Sequence, residues 1–321
     1  MSSTINRAAL PTFAQVQEAA ARIAPYAVKT PVLRNTTLNA LAGADLYFKC
    51  ENLQRGGAFK FRGACNAVWS MDDAMAASGV VTHSSGNHGN ALALAAATRG
   101  IPAHVVVPDG AVRTKLQAIE RAGALLHRCE ATQAAREAKA DEVQRATGAE
   151  LVHPFSDTRV MAGQGTAVLE LLEQAGGLDA VITPIGGGGL IAGTAIAAHG
   201  IAPPVEVHGA EPTGADDAAR SLAQGQRVGP FTPDTICDGL RTLIGETNFE
   251  ALRMHRVEVT TVTDDDVIAA MRLLWNELKI VVEPSSATVL AAVLKRPERF
   301  KGKRVGLILT GGNVDLDALP W

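Results

Sequence analysis

The sequence predicts an α/β protein of two lobes, each a mainly parallel sheet flanked by helices. Three observations predict it. Strand-like and helix-like patterns alternate along most of the chain. Its 321 residues, 47% of them hydrophobic, exceed the roughly 250–300 at which a single core stops growing. Glycine-rich loops recur where a strand gives way to a helix.

Residues 12–23 have helical apolar spacing, 44–52 ("ADLYFKCEN") read as a strand, and 61–71 ("FRGACNAVWSM") as a helix with Lys60 at its start. From residue 79 the pattern is regular. "GVVTH", "AHVVVP", "LLHRCE" and "ELVHP" are strands, separated by helices "NALALAAATRG", "VRTKLQAIERAG" and "AAREAKADEVQRATG". The alternation resumes with the helix "VMAGQGTAVLELLEQAGG", the strand "DAVITPI", the helix "LIAGTAIAAHG" and the strand "VEVHGAE". Residues 225–248 are looser and rich in turn formers. The helices "DDDVIAAMRLLWNELK" and "SSATVLAAVLKR" and the strand "RVGLILT" follow. There is no internal repeat, low-complexity tract or extended linker.

Composition narrows the function classes. A formal net charge of -3, with no long run of Lys or Arg, gives no balance for nucleic acid or an anionic membrane surface. Cys50, Cys65, Cys129 and Cys237 show no CxxC or zinc spacing, which suits buried thiols in a reducing cytoplasm. The N-terminal residues lack the apolar core of a secretory signal. Residues 180–205 carry no charge, but prolines and glycines interrupt them, so a strand, turn and helix are expected there and not a membrane span.

Parallel sheets place ligand sites at the carboxyl ends of their strands. Gly186, Gly187, Gly188 and Gly189 stand between a strand and a helix, where backbone N–H groups converge on an anion such as phosphate. No Lys-Ser or Lys-Thr follows, which excludes a Walker A loop. Gly187, Gly189 and Ala192 also satisfy G-x-G-x-x-A, with Glu211 beyond the next strand. A nucleotide-binding oxidoreductase is therefore the remote alternative, one that leaves Lys60 and the other loops without roles.

Ser84, Ser85, Gly86, Asn87 and His88 bring two hydroxyls, an amide and a helix start together, a fitting carboxylate site, although Asn87 could simply cap the helix. Glu211, Asp216 and Asp217 offer oxygen ligands for a hard cation such as Mg²⁺ or Ca²⁺, and equally the acidic start of a solvated helix. Lys60, between Phe59 and Phe61, is an ordinary exposed lysine or an amine whose pKa burial lowers. A phosphate-bearing aldehyde accounts for both the amine and the glycine loop. Pyridoxal phosphate is that molecule.

The set "GGAFKFRGA", "THSSGNHGNALALAA", "VMAGQGTAVLE", "PIGGGGLIAG", "GAEPTGADD", "TICDGL", "VVEPSS" and "LTGGNVD" resembles the fold type II pyridoxal-phosphate enzymes, tryptophan synthase β-like in architecture. Within these the chain is similar to the group of serine racemases, serine/threonine dehydratases and 3-hydroxyaspartate ammonia-lyases. The matches run in order from Gly56 to Asp315. The resemblance implies a large cofactor-binding domain of residues 1–77 and 155–321, and a small domain, 78–154, that caps the substrate. It implies a cytoplasmic homodimer acting on a small amino acid.

By position, the resemblance makes Lys60 the Schiff-base lysine, with Phe59 beside the cofactor, and puts the phosphate on the four glycines. It sets Asn87 against the phenolic oxygen, Thr310 against the pyridine nitrogen and Glu283 near the same ring edge. A neutral hydroxyl at Thr310 implies an unprotonated ring nitrogen and favours loss of a β-substituent. Residues 84–88 would grip the α-carboxylate. The implied reaction is dehydration of serine, threonine or 3-hydroxyaspartate to a 2-keto acid and ammonia. Ser85, as an acid/base on the face opposite Lys60, makes racemisation of serine or aspartate the alternative. Arg136 aligns with a residue that approaches a second substrate carboxylate, and Glu211, Asp217 and the Ala215 carbonyl with ligands of Mg²⁺, Ca²⁺ or Mn²⁺. Ala58, Asn90 and Cys237 depart from the common pattern; the form Ala-Phe-Lys-Phe-Arg leans towards the racemase and hydroxyaspartate members.

Overall fold

The protein was analysed as a computed structural model, which describes residues 10–111, 113–201, 203 and 205–321. The chain lays down β1 (Val32–Leu33) and β2 (Asp45–Cys50), then β3 (Val80–Thr82), β4 (Ala103–Pro108), β5 (Leu125–Cys129) and β6 (Glu150–Leu151). It continues with β7 (Ala180–Pro184), β8 (Glu206–Pro212), β9 (Glu258–Val262) and β10 (Arg304–Leu309). These strands form two sheets, ordered β1-β2-β10-β7-β8-β9 and β5-β4-β3-β6. Every neighbouring pair is parallel except β1 with β2.

The larger sheet is covered on both faces, which is why its central strands read as continuous apolar runs. Their side chains still alternate. Phe48, Ile182 and Leu307 enter one core with Leu274 and Leu290, while Tyr47, Val181 and Ile308 enter the other with Leu171 and Ile191. Phe61, Ala64 and Val68 of the helix Lys60–Ser70 share a core with Leu92 of the helix Asn87–Arg99 and Val105 of β4. The helix that begins at Lys60 therefore packs against the smaller sheet's layer.

Two glycines set how closely the site's helices approach. A Cβ on Gly163 would lie 2.6 Å from the Arg62 carbonyl oxygen, and one on Gly193 2.3 Å from that of Met161. Only hydrogen fits at either contact. The helix Thr158–Ala175 is thereby wedged between the Lys60 helix and the helix Gly189–Ile201.

Element bounds follow the sequence expectation closely from β3 to β8, with one informative exception. The expected strand 150–154 ends at Leu151, because the His153 ring turns the backbone: its Nδ1 accepts from the N–H groups of Phe155 (3.4 Å) and Ser156 (3.1 Å). Residues 217–224 and 246–262 are more regular than the sequence predicts, forming the helices Asp217–Gln224 and Glu246–Met254 and the edge strand β9. Among the described residues, no helix is long and apolar enough to cross a membrane.

Candidate functional site

Lys60 owes its position to the turn before it. Gly56 and Gly57 adopt φ of 71° and 73°, a left-handed conformation that only glycine takes without strain. The chain thus folds back on the loop after β10: the Phe59 N–H donates to the Thr310 carbonyl (2.9 Å), and the Gly312 N–H to that of Gly57 (2.9 Å). The Lys60 ammonium donates to the Pro154 carbonyl (3.0 Å) and lies 5.1 Å from the centre of the Phe59 ring. Burial lowers its pKa to about 8, the Glu283 carboxylate opposing the shift. A lysine so placed is partly neutral at mildly alkaline pH and nucleophilic.

The charge two residues on has a different task. The Arg62 guanidinium, wholly buried, pairs bidentately with Glu51 (2.8 and 2.8 Å) and donates to both oxygens of Glu170 (2.8 and 2.7 Å). Lys49, also wholly buried, donates to Glu170 (2.6 Å), the Thr30 carbonyl (2.8 Å) and Gln174 (2.8 Å). Two cations and two carboxylates close a neutral network that ties the Lys60 helix to β2 and to the helix Thr158–Ala175.

The four-glycine loop runs from the end of β7 into the helix Gly189–Ile201. Among the described residues, no protein group accepts from the N–H groups of Gly186, Gly187 or Gly188. Added Cβ atoms would lie 2.3 Å from the Phe155 ring at Gly187 and 2.8 Å from the Asn248 Cβ at Gly188, whose φ is 88°. Asn248 pins the loop by donating to the carbonyls of Gly187 (2.5 Å) and Phe155 (3.0 Å). The glycines are therefore required by close packing, and the donors they leave free suit an anion. Pro154 holds the lysine and Phe155 the glycine loop, so two adjacent residues bring the two expected features together.

Ser84, Ser85 and Gly86 form the turn after β3, and the helix Asn87–Arg99 opens without a side-chain cap. A Cβ on Gly86 would meet nothing within 4 Å, which leaves the first N–H groups of this helix open. The His88 ring does not face that opening. It is buried, contacts the Val152 carbonyl through Nε2 (3.2 Å) and is held well below the usual histidine range by burial and then by the Lys60 charge. Only its backbone remains for a ligand.

Asn87 donates to both oxygens of Glu283 (3.0 and 3.2 Å), and its own oxygen accepts from Asn313 (2.9 Å), which also donates to the Gly56 carbonyl (2.8 Å). Burial, reinforced by Asp238, raises the Glu283 carboxyl to about 7. Thr310, at the end of β10, is buried with its hydroxyl 3.0 Å from that of Ser286. Pro154, Phe155, Asn248, Ser286 and Asn313 are the members of this site that the sequence reading missed.

Two expected groups stand apart. Glu211 is wholly buried and accepts from the N–H groups of Ala218 (3.1 Å) and Ala219 (2.8 Å), at the start of the helix Asp217–Gln224. Asp217 accepts from the Ile244 N–H (2.7 Å), and Ala215 is buried in the preceding turn. Burial pushes the Glu211 carboxyl up to about 8. Among the described residues, no cluster of three or more His, Cys, Asp or Glu side chains forms a metal site. Arg136, on the helix Gln133–Thr147, is half-buried; burial lowers the pKa of His83 after β3, and the Arg136 charge adds to that in the same direction.

A family model described as pyridoxal-phosphate dependent enzyme matches residues 23–311. The chain belongs to this family. It is 49% identical over 312 residues to a β-hydroxyaspartate dehydratase of Paracoccus denitrificans (strain Pd 1222), covering 97% of this chain and 99% of that one. It is 50% identical over 312 residues to a serine racemase of Dictyostelium discoideum, covering 96% of each. The solved structure of maize serine racemase superposes with a TM-score of 0.93 at 43% identity, covering 96% of this chain and 95% of that one. The architecture is accordingly that of the fold type II pyridoxal-phosphate enzymes.

The residues present fit the family's cofactor. A lysine with a lowered pKa suits its aldehyde, and three unpartnered N–H groups at a helix start suit its phosphate. The dinucleotide-loop alternative has no comparable support, since it gives Lys60 no function.

Proposed function

We propose that the protein is a pyridoxal-phosphate-dependent ammonia-lyase that converts a β-hydroxy amino acid (serine, threonine or 3-hydroxyaspartate) to a 2-keto acid and ammonia. The observation that carries this reading is the Lys60 amine, lowered to about 8 and held on the Pro154 carbonyl beside the glycine loop. The dehydratase and racemase relatives support the substrate class.

When bound, pyridoxal phosphate supplies the electron-withdrawing ring that acidifies the substrate Cα–H bond. Gly186, Gly187, Gly188 and Gly189 would hold its phosphate, Phe59 would pack beside it, and Asn87, Glu283 and Thr310 would orient the ring. The open helix start at residues 84–88 binds the α-carboxylate, and Arg136 receives the second carboxylate of 3-hydroxyaspartate. The Lys60 amine would take the Cα proton on one face and return a proton to the β-hydroxyl, which leaves as water as the Cα=Cβ bond forms; hydrolysis of the released enamine gives the 2-keto acid and ammonia. Residues 78–154 act as the cap that closes on the substrate, and the remainder as the cofactor domain of a cytoplasmic homodimer. Keto-acid release measured across serine, threonine and the 3-hydroxyaspartate isomers tests the proposal; release from none of them overturns it.

Racemisation is the second reading, favoured by one observation: among the described residues, the partly exposed Ser85 hydroxyl has no protein hydrogen-bond partner. It is free to exchange a proton on the other face. Ser85→Ala should lower racemisation about 100-fold or more while leaving elimination within about tenfold. Equal loss of both activities in a chiral assay would remove the one-face role.

A divalent cation at Glu211, Asp217 and the Ala215 carbonyl completes the proposal. Each carboxylate oxygen keeps a lone pair beyond its backbone contact, and the buried Glu211 lacks a cation among its partners. Chelation should lower the melting temperature and readdition of Mg²⁺ restore it. At Mg²⁺ near 100 times its Kd the gain is about 2.7 kcal/mol. A melting temperature indifferent to both treatments eliminates the cation.

A further inference from the structure

Asn248 sits in the first turn of the helix Glu246–Met254, wholly buried. Its side-chain nitrogen reaches two carbonyls at once: that of Gly187 (2.5 Å) in the glycine loop, and that of Phe155 (3.0 Å), the residue after the acceptor of Lys60. A carbonyl can only accept, so both contacts are hydrogen bonds only if the amide nitrogen lies between them and gives one proton to each. Turning the amide over would set its oxygen against two others in a dry interior. The Oδ1 end meets no donor among the described residues. Asn248 is thus used for its nitrogen alone, which supplies two neutral donors on a single atom.

The two carbonyls belong to the two halves of the cofactor site, and each half has a support of its own. On the phosphate side, the Gly187 carbonyl also accepts from the Gly245 N–H (3.1 Å). On the lysine side, the Pro154 carbonyl that holds Lys60 shares a peptide plane with the Phe155 N–H, which donates to the His153 ring (3.4 Å). Between the halves there is close packing: a Cβ on Gly187 would lie 2.3 Å from the Phe155 ring, and one on Gly189 3.0 Å from the Phe155 carbonyl oxygen. Asn248 adds a directional link to that packing.

Pyridoxal phosphate carries its aldehyde and its phosphate arm on adjacent carbons of a rigid ring, so it presents the two groups at a nearly fixed spacing. A ligand with two anchors gains from the second only where the protein's anchor points already match that spacing. We infer that Asn248 is a positioning residue that sets this spacing: it holds the turn carrying the Lys60 acceptor in register with the glycine loop, so that both ends of the cofactor are caught together. The inference rests on the proposed placement of the cofactor on Lys60 and the four glycines. Without Asn248 each half keeps its own bonds, and their register is lost.

The test is equilibrium binding of three probes to the full-length protein from which cofactor has been removed, wild type and Asn248→Ala. Pyridoxal phosphate carries both anchors. 5′-Deoxypyridoxal keeps the aldehyde and lacks the phosphate, and 4-deoxypyridoxine 5′-phosphate keeps the phosphate and has a methyl group for the aldehyde. Visible absorbance follows the two aldehydes, whose carbonyl carbon condenses with the Lys60 amine and releases water; calorimetry follows the third probe. Asn248→Ala should weaken pyridoxal phosphate by about 30-fold or more and each half-probe by no more than about threefold. Should that variant fail to fold, Asn248→Ser, with one proton for two carbonyls, should show the same selective loss at smaller size. If either half-probe weakens as much as pyridoxal phosphate, Asn248 serves that half or the fold at large, and the inference fails. Unchanged affinity for pyridoxal phosphate overturns it too, since packing alone then sets the register. Wild-type protein that gains no visible absorbance with pyridoxal phosphate overturns the proposed cofactor site itself.

Discussion

Lys60→Ala is expected to lower turnover of every substrate by about 10³-fold or more, because the variant loses both the cofactor-linking amine and the base for the Cα proton. The wild-type amine also predicts a pH dependence. Its pKa falls from 10.5 to about 8, so the neutral, nucleophilic fraction rises as pH climbs through about 8, well below the range of a solvated lysine. The rate at which cofactor-free protein gains visible absorbance on mixing with pyridoxal phosphate should rise over the same interval. Lyase activity retained in Lys60→Ala removes the residue from the mechanism.

Arg62→Met is expected to cost about 3–5 kcal/mol in urea unfolding, since it strands the buried Glu51 carboxylate and takes from Glu170 one of its two cations. The double variant Arg62→Met/Glu51→Gln should recover part of that loss, because a charge and its partner leave together. A loss under about 1 kcal/mol in the single variant would falsify the network as a structural element. The lysine and the arginine thus divide the work of one short segment. Lys60 faces the chemistry, and Arg62 holds its helix in place.

That division was only half legible in the sequence. A lysine between two phenylalanines at a helix start is a local signal, and so are four glycines between a strand and a helix. The partners of Arg62, Glu51 and Glu170, carry no such signal, because they lie on elements that only the tertiary fold brings to it. The same holds for Asn248, which reaches the glycine loop from 61 residues away in sequence. Phe155 was hidden differently. The apolar run "ELVHP" looked like strand to its end, whereas the His153 ring accepts backbone protons and turns the chain. β9 went unassigned because an edge strand is only half covered and its run "EVTTV" lacks the continuous apolar character of β7 or β10.

β10 is the last of the described strands to be synthesised, yet it lies between β2 and β7 in the sheet. Without β10, β1-β2 and β7-β8-β9 have no strand to join them. Until β10 arrives, β2 and β7 each present an open, apolar edge, the kind of surface that pairs with other chains. The Lys60 loop is incomplete for the same interval, since it bonds to Thr310 and Gly312. The lysine's turn is thus complete only once β10 is in place. Substitutions in β10 should be felt first as a lower yield of soluble protein, before any loss of equilibrium stability is measured.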